Sequence, residues 1–186
     1  MKVGIIGNGG REHAICYSLY GLIEIERLYC FPGNAGTSRI AENISLNLEN
    51  FNELKDFIKA NKIDLIVVGP EKPLVDGIVD FLEAHNIKVF GPNKLASQLE
   101  GSKIFTKNLC KKHNIPTAKF GIFDNIDKAT LFISKTEYPI VVKADGLASG
   151  KGVYICENDK EAKTAIKEIF EGKFGKAENL LIEEFL

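Results

Sequence analysis

Phosphate-binding chemistry is written most clearly into the glycine-rich stretches of this sequence. The first, "VGIIGNGGREHA" over residues 3–14, is an apolar run followed by Gly7, Gly9 and Gly10, then Arg11 and Glu12. Where a strand turns through such a loop into a helix, backbone N–H groups point outward at a helix N-terminus, whose partial positive charge favours anions. Glycines at 9 and 10 would let the backbone approach a ligand closely. A tight turn that binds nothing is the plain alternative. The dinucleotide version of this loop needs a third glycine for helix–sheet packing and an acid about 20 residues on, closing the second strand. Here Glu12 fills the glycine position, and the second strand ends Tyr29-Cys30-Phe31-Pro32 without an acid. The loop is phosphate-competent but misfit for NAD.

Two further loops have the same character. "PGNAGT" (residues 32–37) carries Gly33, Asn34, Gly36 and Thr37, and "GPEKPLVDG" (residues 69–77) carries Glu71 and Asp76. Each follows a strand pattern, so all three loops should meet at one edge of a sheet, where open α/β folds bind ligands. One small phosphorylated molecule fits the set; simple turn residues are the alternative reading.

The stretch "KADGLASGKG" (residues 143–152) is a different phosphate device. It fails as a Walker loop, because Gly152 stands where a Ser or Thr must hold magnesium and the loop joins two strands. A glycine hairpin of this kind can fold over phosphates as a mobile lid across residues 146–152. Lys143 follows the apolar run "PIVV", and an inward lysine there is costly unless it meets an anion. A surface hairpin with solvated lysines is the alternative. In "LLIEEF", side-chain alternation sends Glu183 and Glu184 to opposite faces. They read either as one solvated and one rim carboxylate or as part of an adenine hinge.

These stretches must be positioned by ordinary elements. Strand patterns occupy residues 2–6, 27–31, 65–68 and 88–90, and "FNELKDFIKANK" and "LVDGIVDFLEAH" have helical apolar spacing between them. Alternating strands and helices predict a doubly wound parallel sheet. Beyond residue 101 the texture changes. An amphipathic helix over residues 102–114 ends before Pro116. Short strands at 119–123, 140–143 and 152–156 follow, with helices at 127–135 and 160–170, the latter capped by Asp159. The last stretch, "NLLIEEFL", has strand character, as expected where a longer polypeptide continues.

The 186 residues carry a net charge of −1 and 45% apolar side chains, which describes a globular chain with a real core and no electrostatic footprint for nucleic acid. No apolar run is long enough to cross a membrane. Cys16, Cys30, Cys110 and Cys156 are scattered, as are His13, His85 and His113, so neither a disulfide framework nor a metal site is expected. The compartment reads as cytoplasmic.

In order along the chain, "IGNGGREHA", "PGNAGT", "DLIVVGPEKPLVDGIVD", "FGP", "LEGSK", "IPTA", "PIVVKADGLASGKGV" and "IEEFL" resemble the amino-terminal part of the phosphoribosylamine–glycine ligases of the ATP-grasp superfamily. The resemblance covers nearly the whole sequence. It implies an α/β, doubly wound parallel-sheet domain over residues 1–101, a linking helix and the start of the ATP-grasp domain over 102–120, and an α+β lid subdomain over 121–186.

It further implies that Gly9, Gly10, Arg11, Glu12, Gly33, Asn34, Gly36, Thr37, Glu71 and Asp76 surround phosphoribosylamine. Lys103, Lys143, Gly146, Ser149, Gly150, Lys151, Gly152, Glu183, Glu184 and Leu186 would contact ATP, with the Glu184 carbonyl and the Leu186 N–H meeting adenine. The implied reaction joins glycine to phosphoribosylamine through glycyl phosphate, in de novo purine synthesis. The implied cofactor is ATP with magnesium or manganese. Catalytic groups and metal ligands would lie past Leu186, so these residues alone should not catalyse. The expected partners are small molecules, with no nucleic acid or membrane, and the expected state is a monomer. A biotin-carboxylase-like or other ATP-grasp ligase, and a non-catalytic phosphometabolite-binding module, are the rival readings.

Overall fold

The computed structural model describes residues 1–147, 151–175 and 178–186. The chain divides into two compact units, Met1–Ser97 and Gln98–Leu186.

The first unit is built on a five-stranded parallel sheet. Its strands are β1 (Lys2–Gly7), β2 (Arg27–Pro32), β3 (Glu42–Asn43), β4 (Leu65–Val68) and β5 (Val89–Phe90), in the order β3-β2-β1-β4-β5. The helices are α1 (Gly10–Leu19), α2 (Phe51–Asn61), α3 (Glu71–Asp76) and α4 (Ile78–Ala84). Alternation along the strands decides which face each side chain takes. Val3, Ile5, Leu28 and Cys30 pack with Cys16 of α1, while Ile6, Tyr29, Phe31, Ile66 and Val68 pack with Leu54 and Ile58 of α2 and with α4. Both faces are therefore covered, as a doubly wound sheet requires. Each fully buried Ile, Leu or Phe contributes about 1.5–3 kcal/mol.

The stretch expected as one helix over "LVDGIVDFLEAH" is two. Gly77 lies at φ 99, in the left-handed region, and its N–H closes α3 on the carbonyls of Pro73 and Leu74. Leu74, Ile78 and Leu82 keep an i, i+4 spacing through the break, so apolar periodicity alone could not reveal it. The helix α5 (Lys94–Gly101) carries the chain across the division between the units.

The second unit contains α6 (Lys103–Lys112), β6 (Phe120–Phe123), α7 (Ile126–Ile133), β7 (Ile140–Ala144), β8 (Val153–Cys156), α8 (Asp159–Phe170) and β9 (Leu180–Glu184). Its strands form an antiparallel sheet in the order β6-β9-β7-β8. One face, with Ile140, Val142, Ala144, Leu180 and Ile182, packs on Ala129 and Ile133 of α7 and on Ala162, Ala165, Ile166 and Ile169 of α8. The opposite face presents the other parity: Val141, Lys143, Leu181 and Glu183. Asp159 does not cap α8. Asn158 does, its side chain accepting the N–H of Glu161, because Asp159 already has helical geometry. Likewise Asn125 caps α7 by accepting the N–H of Lys128.

Candidate functional sites

In the first unit the parallel strand order brings the ends of β1, β2 and β4 side by side. Gly33 N–H donates to Gly7 O at 3.1 Å and Gly69 N–H to Ile6 O at 3.0 Å, so the three glycine loops share one edge. Glu12 is the wedge between them. It is only 3% exposed, and its carboxylate accepts the Gly9 N–H at 2.6 Å and the Arg11 Nε–H at 3.1 Å. A Cβ on Gly7 or on Gly69 would overlap the Glu12 side chain. The space that a third glycine opens in a dinucleotide loop is thus opened here by glycines at the ends of two neighbouring strands, and a carboxylate fills it.

Arg11 reaches on to Glu71, its Nη1 lying 2.9 Å from Oε1, which ties the first loop to the third. The Arg11 hydrogen bond holds the Glu71 carboxyl below the usual carboxylate range, and Glu71 and Glu12 together keep Arg11 firmly protonated. Asn34 ties the second loop to the first. Its amide donates to Asn8 O at 2.9 Å, and its Oδ1 accepts the N–H groups of Gly36 at 2.7 Å and Thr37 at 3.1 Å. Thr37 is fully buried and bonds Asn34 and Asn43. Asn34, Thr37 and Glu12 therefore spend their polar groups on holding the loops. Glu12 takes the N–H of the N-cap residue Gly9, and no side chain bonds the next N–H groups of α1 among the described residues, so those can serve an anion. Asp76 stands apart from this network, in an i, i+4 pair with Lys72.

The second unit assembles a separate cluster on the sheet face opposite α7 and α8. Glu183 is 6% exposed and lies between two ammonium groups. Lys143 of β7 contacts Oε1, and Lys107 of α6 lies 2.5 Å from Oε2. Burial and the nearby charges of Lys107 and Lys103 push Lys143 below the ordinary lysine value, against the pull of Glu183. Around it, α6 is fastened to the loop after β7. Asp145 accepts the Ser102 hydroxyl at 3.0 Å and the Ile104 N–H at 3.2 Å, and Lys103 Nζ donates to Gly146 O at 2.9 Å. Glu184 faces away and accepts the Lys119 N–H at 2.9 Å, while Leu186 is 88% exposed. An inward lysine that needs an anion thus finds one within the fold, with further ammonium charge beside it. Lysine groups in excess of carboxylate make an anion-accepting surface.

Two family models cover the chain end to end: "Phosphoribosylglycinamide synthetase, N domain" over residues 1–100 and "Phosphoribosylglycinamide synthetase, ATP-grasp (A) domain" over residues 101–186. The chain belongs to the phosphoribosylglycinamide synthetase family. It is 47% identical over 191 residues to the phosphoribosylamine–glycine ligase of Clostridium acetobutylicum, covering 100% of this chain and 45% of that relative. For the Brucella melitensis protein of the same name the identity is 49% over 187 residues, with 100% and 44% covered. The crystal structure of phosphoribosylamine–glycine ligase from Thermotoga maritima superposes with a TM-score of 0.80 at 33% identity, over 100% of this chain and 44% of that one. The chain therefore spans less than half the length of these synthetases.

Some residues of these two clusters are not marked by any pattern in the sequence. Lys107 sits in "KIFTKNLCKK", where the amphipathic pattern does not set it apart from Lys111 and Lys112. Asn43 lies in a two-residue strand with no periodicity to mark it. The ring of His13 lies so close to Gly36 that a Cβ there would stand 2.6 Å from Nδ1, a contact between loops that no local pattern encodes. In the glycine hairpin, Gly146 and Gly152 have φ of 88 and 75. A Cβ on Gly152 would press on Phe174 at 3.2 Å, whereas Gly146 faces open space and Lys151 is exposed. Ser149 and Gly150 lie outside the described residues, and so does the part of the expected mobile lid that turns on residues 148–150.

Proposed function

We propose that this chain supplies the sugar-phosphate unit and one wall of the nucleotide site of a phosphoribosylamine–glycine ligase acting in cytoplasmic de novo purine synthesis. The observation that carries the reading is that the two family matches run without a gap, residues 1–100 and 101–186, over units with two different anion-accepting geometries.

In the first unit the free N–H groups at the start of α1 would receive the phosphate of phosphoribosylamine. Arg11 and Glu71 would address its hydroxyl and amine groups, with Gly9, Gly10, Gly33 and Gly36 keeping the backbone close. Glu12, Asn34 and Thr37 would act by holding the loops, and Asp76 would reach the site from the end of α3. In the second unit Lys103, Lys143 and Lys151 would neutralise nucleotide phosphates beneath the hairpin bounded by Gly146 and Gly152. The backbone at Glu184 and Leu186 would meet the adenine, next to Glu183. Among the described residues no group of three or more His, Cys, Asp or Glu could hold a metal. The ligands for magnesium or manganese are assigned to the remainder of the full-length polypeptide. We take that polypeptide to be monomeric and to need no nucleic acid or membrane.

In the proposed reaction a glycine carboxylate oxygen attacks the γ-phosphorus of ATP, releasing ADP and forming glycyl phosphate. The amine of phosphoribosylamine then attacks the acyl carbon, and phosphate leaves with its bonding pair as the amine loses a proton. The residues of this chain contribute positioning and charge neutralisation, which account for most of the catalysis of phosphoryl transfer. The test is ADP release by the full-length polypeptide with each substrate omitted in turn. Release that requires glycine and is coupled to glycinamide ribonucleotide formation supports the reading. Bicarbonate substituting for glycine, or tight ligand binding without ATP turnover, defeats it.

A further inference from the structure

The two lysines on Glu183 are not equivalent. Lys107 Nζ lies 2.5 Å from Glu183 Oε2 and donates to Thr117 Oγ1 at 2.7 Å and to Ala118 O at 3.3 Å. Its side chain is 13% exposed and its ammonium lies over the Phe120 ring. Two of its three donors go to those protein oxygens, and the ammonium is held against the Glu183 carboxylate as a buried ion pair. Lys143 is more exposed, at 25%, and its one polar contact among the described residues is Glu183 Oε1. Its other two donors meet no acceptor among the described residues.

The charge balance follows from this geometry. If Glu183 had only Lys143, the two would form a neutral pair, and the sheet face would lose its attraction for an anion. With Lys107 held on the other oxygen, two positive charges surround one negative charge. The surplus resides on Lys143, the member with donors to spare.

We propose that Lys107 is a positioning residue that neutralises Glu183 from behind, so that the charge of Lys143 remains available to a polyphosphate ligand. The inference deepens the nucleotide-site reading above and rests on it for the identity of the ligand. Lys107 itself touches no ligand in this arrangement. The charged and titratable groups that act on the pair are Lys103 and Cys110 from α6 and Glu183 from β9, with Glu184 acting from the other face of β9.

The test is a charge-balance cycle with inorganic tripolyphosphate as the probe, which separates phosphate recognition from base recognition. Lys107→Met should weaken tripolyphosphate binding about tenfold or more, the scale of losing one charge-assisted contact. Lys107→Met combined with Glu183→Gln removes one positive and one negative charge, and should restore binding to within about threefold of wild type. Lys107→Arg keeps the charge and should bind as wild type, which keeps the proposal testable if Lys107→Met does not fold.

A second readout needs no ligand: the titration midpoint of Lys143, followed by NMR of its side-chain carbon next to nitrogen. Removing Lys107 takes away a like charge and leaves Glu183 to Lys143 alone, so the midpoint should rise in Lys107→Met. It should fall back in the double variant. A double variant that binds no better than Lys107→Met, or a Lys143 midpoint indifferent to Lys107, overturns the proposal. If wild type fails to bind tripolyphosphate while the midpoints move as stated, the nucleotide-site reading fails and the electrostatic role of Lys107 stands.

Discussion

Lys143 and Glu183 lie diagonally across the antiparallel β7–β9 pair, on one face of the sheet, with ammonium and carboxylate in contact. The register sets Glu183 opposite Val141 and Leu181 opposite Lys143, and such diagonal positions are within reach of long side chains. A carboxylate this buried would cost several kcal/mol if left alone. The lysines on its two oxygens offset that cost and leave a cationic face.

The first prediction concerns that face. Lys143→Ala in the full-length polypeptide should weaken ATP binding about tenfold or more, since charge-assisted contacts are worth about 1.5–3 kcal/mol. Titration calorimetry reads this directly, and wild-type affinity in the variant would refute the role given to Lys143.

Two glycines of the first unit should respond in opposite ways to the same substitution. Gly69→Ala drives a methyl group into the pinned Glu12 side chain and should cost about 1–3 kcal/mol of stability. Gly10→Ala meets nothing within 4 Å and should stay within about 0.5 kcal/mol of wild type. Urea denaturation of both variants is the check, and equal losses would show that Glu12 is not the wedge.

NADH and NADPH should not bind the first unit. Glu12 fills the space beside Gly7 and Gly69, and β2 ends in the buried Phe31 and the half-buried Pro32, with no acid for a ribose hydroxyl. Saturable quenching or enhancement of NADH fluorescence by the chain would contradict this.

The Arg11–Glu71 pair should leave a small acid-limb signature. Because Arg11 lowers the folded-state pKa of Glu71, the pair adds stability above the unfolded carboxyl value, about 4.3, and loses it as pH falls through the folded value. Both side chains are substantially exposed, so the contribution is under about 1 kcal/mol. Glu71→Gln should be less stable than wild type by that amount near neutral pH, with the gap closing as pH falls below the unfolded carboxyl value and through the lowered folded one. A gap that persists in acid would mean that the charge of Glu71 is not its cause.

Helix α8 offers a clean test of its capping residue. Asn158→Ala removes the acceptor for the Glu161 N–H and should cost about 1 kcal/mol, whereas Asp159→Ala, inside the first turn, should cost less than half of that. Denaturant midpoints that rank the two variants the other way would place the cap at Asp159.

Much of the architecture was legible because it is encoded locally. The apolar runs at β1 and β4 and the glycines that end them mark a parallel sheet with loops on one edge, and alternation in "PIVVK" and "LLIEE" separates core-facing from site-facing residues. Local patterns failed where a left-handed glycine interrupted a helix without disturbing its apolar spacing, as at Gly77, and where two adjacent polar residues compete for one cap, as at Asn158 and Asp159.

The sequence by itself determined the fold class, the family and the places where phosphate chemistry could reside, because strand and helix periodicity and glycine turns depend on neighbours a few residues away. Only the tertiary structure decided what the polar residues of those places do. Glu12 became a wedge because Gly7 and Gly69, at the ends of adjacent strands, both lack a Cβ at the same point in space. Asn34 and Thr37 became loop fasteners because the second loop lies against the first. Lys107 became the counter-charge of Glu183 because α6 reaches the sheet face where β9 turns that carboxylate inward. Charge pairing acts through space over a few ångströms, between residues separated by dozens of positions, and strand register and helix placement set which charges meet.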